Sequence, residues 1–149
     1  MNKFNIVKYI KRTFIIVAIA LVTNSCQDDF DEWGYVNFFI EPDTTEYFNL
    51  NDGSRGWEYM EGGNRGVLVV RNSHNDFMAY ERSCVLKDCK GRLEVDKATN
   101  VIIFCPVCNS QWLSVDGSPL QGSKATRMLY AYCTYYDGWR LYVRNCSGF

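Results

Sequence analysis

Two cysteine pairs constrain this chain most: Cys84-x4-Cys89, then Cys105-Pro106-Val107-Cys108, with fifteen residues between them. Each pair is read as carried by a short loop. Whatever fold forms must deliver both loops from neighbouring strand or helix ends if the four thiols are to act together. The chain has one histidine, His74, and it lies outside the quartet. A site built from these loops is therefore a thiolate site.

The flanking sequence reads as β-structure. Residues 35–40, 66–70, 77–80 and 101–104 are short apolar or alternating runs bounded by turn residues, and helical periodicity is scarce. Residues 47–50 alternate large apolar and polar side chains and read as another strand. Residues 72–76 make a polar turn carrying His74, which is read as a turn residue and not as a ligand. Residues 128–136 and 139–143 flank Asp137-Gly138, a strong hairpin signal. The expectation is an all-β sandwich or barrel of many short strands, with both cysteine loops projecting from strand ends.

The N-terminus reads as a targeting segment. Lys3, Lys8, Lys11 and Arg12 precede the unbroken apolar run 14–22, which is too short to span a bilayer and suits a signal peptide. Thr23-Asn24-Ser25-Cys26 resembles a bacterial lipoprotein cleavage site, which implies removal of residues 1–25 and lipidation of Cys26. Acyl chains there would hold the protein to a membrane leaflet. Residues 26–34 are expected to form an acidic tether, and 35–149 the β domain. The run Asp28-Asp29-Phe30-Asp31-Glu32 resembles a surface-export signal, so the expected location is the cell envelope, at the outer membrane and displayed on its surface. Lys11-Arg12-Thr13-Phe14-Ile15 resembles a twin-arginine export signal with Lys in place of the first Arg.

The leader holds four of the sixteen basic residues and none of the acidic ones. Twelve basic residues then face seventeen acidic ones, a net charge of −5. That balance argues against a nucleic-acid partner. Six cysteines remain after Cys26, and an exported chain meets an oxidising compartment, where disulfides are the default. No nucleophilic triad, phosphate-cradling glycine loop or paired carboxylates are evident. The chain is not expected to be an enzyme on its own; at most it is an electron-transfer component. Arg82, Lys87, Lys90 and Arg92 make the first cysteine loop locally basic.

Three features occur in order: Ala79-Tyr80-Glu81-Arg82-Ser83-Cys84-x4-Cys89, then Cys105-Pro106-x-Cys108-x-Ser110-x-Trp112, then a return from Asp116-Gly117-Ser118-Pro119-Leu120-Gln121-Gly122 through Ala125-Thr126 to Met128-Leu129 and Ala131-Tyr132. Together they resemble the Rieske iron–sulfur domain, over roughly 67–145. The resemblance implies a Rieske-like antiparallel β-sandwich with both loops at one tip. Cys84 and Cys105 fall where that family places its two cysteine ligands. Its histidine ligands would stand at 86 and 108, where this chain has Leu86 and Cys108. Cys89 coincides with an extra loop cysteine that forms a disulfide in some members. Its usual partner would be at 107, which here is Val107. A two-histidine, two-cysteine centre cannot be assembled from these residues.

Three outcomes remain for Cys84, Cys89, Cys105 and Cys108. They can hold a [2Fe–2S] cluster as cofactor, with a potential toward about −400 mV. They can bind tetrahedral zinc. They can bind no cofactor and close as two disulfides, each joining Cys84 or Cys89 to Cys105 or Cys108. The first implies a redox partner, and the last two a structural or binding lipoprotein. Cys133 and Cys146 belong to the last hairpin. With a two-residue turn at Asp137-Gly138 they would face Tyr142 and Met128 or Leu129, so their pairing is left undecided.

Overall fold

The computed structural model describes residues 33–51 and 56–146. The leader, Cys26 and most of the tether lie outside the described residues. Among the described residues, nine strands form two sheets. β1 (Asn37–Ile40), β2 (Trp57–Met60), β3 (Val67–Ser73), β4 (Asp76–Glu81), β8 (Ala131–Tyr136) and β9 (Leu141–Arg144) make a six-stranded sheet in the order β1-β9-β8-β4-β3-β2. β5 (Glu94–Val95), β6 (Ile102–Phe104) and β7 (Gln111–Leu113) make a three-stranded sheet in sequence order. All the registered pairings are antiparallel. The expected all-β architecture, with both cysteine loops at one tip, is the one observed.

The strand β3 explains the layering. Val67 to Arg71 are all buried, and successive side chains point to opposite faces. Val67 and Val69 join Val36, Ile40, Leu50, Phe77, Ala79, Tyr132, Leu141 and Val143 in one core on one face of the sheet. Leu68 and Val70 join Tyr80, Leu93, Val95, Ile103, Trp112 and Leu129 in a second core under the small sheet. Cys84 and Cys105 belong to this second core. Val95 N–H donates to Tyr59 Oη at 2.9 Å, which ties the edge strand β2 to the small sheet.

Residues 47–50 are not a strand. A 3-10 turn (Thr45–Tyr47) runs into the short helix α1 (Phe48–Asn51). The buried Arg71 supplies the reason. Its guanidinium donates to Leu50 O at 2.8 Å and to His74 O at 2.7 Å, and pairs with Asp43 at 2.6 Å. Leu50 O lies in the last turn of α1, where carbonyls lack intrahelical partners. A buried guanidinium needs such acceptors, and this need overrides the alternating pattern. His74 keeps to the β3–β4 turn, as expected.

The domain already includes Trp33 and Gly34, which were assigned to the tether. Trp33 is buried and stacks on Tyr130 with ring centroids 5.2 Å apart. Its carbonyl lies 3.0 Å from Tyr132 Oη, and Gly34 O accepts from Asn145 Nδ2 at 3.0 Å. The large buried ring and these contacts are incompatible with a solvated linker.

The final hairpin turns over four residues, because Asp137 N–H bonds Arg140 O at 3.1 Å and Asp137 Oδ1 accepts from Trp139 and Arg140 N–H. The register shifts by two from the expected one: Cys133 faces Arg144, not Tyr142. Cys146 then lies beside Ala131 on the same face as Cys133, and the two form a disulfide across a Cα separation of 5.0 Å.

Candidate metal centre

Loop 1 leaves β4 at a buried carboxylate. Glu81 is inaccessible to solvent and accepts from Ser83 N–H and Oγ (both 2.8 Å), Arg65 N–H (3.0 Å), Asn64 N–H (2.9 Å) and Tyr132 Oη (2.7 Å). Five donors compensate a charge that would otherwise not tolerate burial. The loop is pinched into a hairpin by the Ser83–Arg92 bridge and by Cys84 N–H to Gly91 O at 3.1 Å. Cys89 N–H closes a tight turn onto Leu86 O at 2.9 Å.

Loop 2 spans the end of the β6–β7 hairpin. Cys105 N–H bonds Ser110 O at 2.9 Å, and Asn109 N–H bonds Cys105 O at 2.8 Å. Asn109 has φ +60°, a left-handed conformation that asparagine tolerates better than most residues. The Asp116–Ala131 return braces this loop. Trp112, fully buried, donates from Nε1 to Arg127 O at 3.0 Å. Tyr80 Oη donates to Ser114 O at 3.0 Å. Ala125 N–H donates to Ser110 Oγ at 3.1 Å, and that same oxygen lies 3.2 Å from Cys108 Sγ.

The two loops bring Cys84, Cys89, Cys105 and Cys108 together. Their four sulfurs all lie within 4.8 Å of one another, and none is in a disulfide. Two contacts cross between the loops: Cys84 to Cys108 at 3.7 Å and Cys89 to Cys105 at 3.6 Å. Cys84 and Cys105 are buried, while Cys89 and Cys108 are half-buried.

Environment separates the thiols. Burial pushes Cys84 and Cys105 up, against N–H groups that favour their thiolates: Leu86 on Cys84, and Val107 and Cys108 on Cys105. Cys108 is also opposed by burial, but hydrogen bonds from the side chain and backbone of Ser110 prevail and bring it down to about 6. N–H and O–H donors aimed at sulfur favour the anion, the form that binds metals.

The donor set does not fit a two-histidine, two-cysteine centre. Leu86 offers no ligand atom, and His74 is not part of the group. An all-thiolate ligand set is what the tip contains, and it suits soft or borderline ions.

One sequence expectation needs correction. Arg82 does not belong to the basic surface of loop 1. It is buried, donates from Nε to Leu93 O at 3.0 Å, and stacks its guanidinium 3.4 Å above the Tyr59 ring. The planar guanidinium packs where an ammonium would not. Lys87, Lys90 and Arg92 are exposed. Two residues shape the site beyond what the cysteine pattern predicts: Gly91, whose backbone lies against Cys105 Sγ, and Ser110 in its bridging role. The Cys-x-Ser spacing was the only sequence signal for the second.

No protein-family model matches this sequence, and no curated protein does. Among solved structures, the chain is similar to the ferredoxin of carbazole 1,9a-dioxygenase from Nocardioides aromaticivorans IC177. That similarity has 20% identity over 60% of this chain and 85% of that chain, with a TM-score of 0.45.

Proposed function

We propose that this protein is an envelope lipoprotein, tethered through Cys26, whose β domain carries an iron–thiolate centre for one-electron transfer. The observation that carries the reading is the convergence of Cys84, Cys89, Cys105 and Cys108, four sulfurs from two loops within 4.8 Å. Thiolates stabilise ferric iron, so the centre would supply a low-potential electron site. The half-buried Cys89 and Cys108 leave one side of it open to a redox partner. The basic, apolar-run leader and the Ser25-Cys26 junction support lipid anchoring, and the acidic run after it supports display at the outer-membrane surface.

The test is purification of the full chain expressed with its own leader, followed by iron analysis, visible spectroscopy and a redox titration. A coloured protein with a reversible couple is expected. A colourless protein without iron would sink the electron-transfer reading. Incorporation of labelled palmitate, lost in Cys26→Ala, tests the anchor.

A second reading is a cluster-free lipoprotein stapled by disulfides. The cross-loop contacts Cys84–Cys108 and Cys89–Cys105 favour it and specify its pairing. Peptide mapping under non-reducing conditions decides between the two.

A further inference from the structure

We infer that the quartet takes a single tetrahedral ion held by all four thiolates, and not a two-iron, two-sulfide cluster. The inference rests on the metal-centre reading above and fixes its nuclearity.

Distances decide the matter. One tetrahedral ion with metal–sulfur bonds of about 2.3 Å places all six sulfur pairs about 3.8 Å apart. In a two-iron cluster, two such tetrahedra share an edge of sulfides. Thiolates on different irons then stand at least about 5.3 Å apart, taking the same bond length of about 2.3 Å. Four of the six sulfur pairs would have to exceed that value. Here none exceeds 4.8 Å, and two are at 3.7 and 3.6 Å. The short pairs also connect the loops crosswise, so the sulfurs surround one point.

The surroundings oppose spreading. Cys105 is inaccessible to solvent, and the Gly91 backbone lies so near its sulfur that a Cβ there would overlap it. The hairpin bond from Cys105 to Ser110 closes loop 2 at its base, and Cys84 N–H to Gly91 O closes loop 1. Inserting two sulfides between the loops would require both bases to open.

The donors match the charge. Four thiolates on a divalent ion leave a net charge of about −2. Leu86 N–H faces Cys84, Val107 and Cys108 N–H face Cys105, and Ser110 offers both N–H and O–H to Cys108. Such outer hydrogen bonds orient ligands and disperse their charge.

The test uses the full chain in detergent, with iron, zinc and acid-labile sulfide measured per chain. One ion and no sulfide is the expected result, with cobalt substitution giving the spectrum of a tetrahedral four-thiolate ion. One zinc ion would uphold the nuclearity while ending the electron-transfer reading. Two irons with two sulfides would overturn the nuclearity and leave the iron–thiolate reading standing. A metal-free chain with two cross-loop disulfides would overturn both.

Discussion

Gly91 and Cys105 meet backbone against sulfur, and a methyl group on residue 91 would occupy the space of Cys105 Sγ. The two residues lie on different loops, so this contact sets how closely the loops approach.

Gly91→Ala tests that relationship. The substitution forces loop 1 away from loop 2 and spoils the tetrahedron of sulfurs. Metal affinity should fall about 10–100-fold, the range for lost outer-shell support. Competition titration against a chromophoric chelator measures the affinity. Circular dichroism of the same sample should retain the β signature, because the strand pairings of both sheets lie outside the two loops.

Ser110→Ala removes one oxygen with two duties. Ala125 N–H loses its acceptor and Cys108 Sγ loses its hydroxyl partner. Leaving a buried N–H unpaired costs about 1–3 kcal/mol. The apo protein should show that loss in denaturant unfolding, and the loaded protein should also bind its ion about 10-fold or more weakly. An equal loss in both forms, with unchanged affinity, would mean that Ser110 only braces the return segment.

Much of this was legible in the sequence, and the reason is local. β3, β4 and β6 are apolar runs between turn residues, so pattern alone places them. The cysteine spacing likewise announces two loops and one site. What escaped depends on distant partners. Trp57–Met60, Glu94–Val95 and Gln111–Leu113 are too short or too mixed to read alone, and they become strands by pairing with β3 and β6. Residues 47–50 turn helical because Arg71, more than twenty positions away, needs the Leu50 carbonyl. Gly91 and Ser110 matter only once the loops touch.

The Cys133–Cys146 disulfide, with a sequence separation of 13, joins the inner strand β8 to the segment that follows β9. It lies in the closing hairpin, whereas loops 1 and 2 flank the small sheet. A Cys133→Ser, Cys146→Ser double variant should lose about 2–3 kcal/mol of stability. Its metal content per chain should equal that of the parent. Metal loss in this variant would show that the hairpin and the cysteine tip are coupled.

Asp43 gives the fold an acid-sensitive clasp. Its hydrogen bond from Arg71 holds its carboxyl below the usual value of 3.8, burial opposes this, and Tyr136 Oη adds a second donor at 2.6 Å. A depressed folded-state pKa means that the stabilisation is fully present above the unfolded value near 3.8. It is lost as the pH falls through the lower folded value. The carboxylate is 43% exposed, so solvent screening keeps its pair with Arg71 to under about 1 kcal/mol. Asp43→Asn should therefore lower stability slightly at neutral pH and flatten the pH dependence below about 4. Urea unfolding of the metal-free protein from pH 2.5 to 7 gives the comparison. Parallel curves for parent and variant across that window would show that Arg71 is held by its carbonyl acceptors alone.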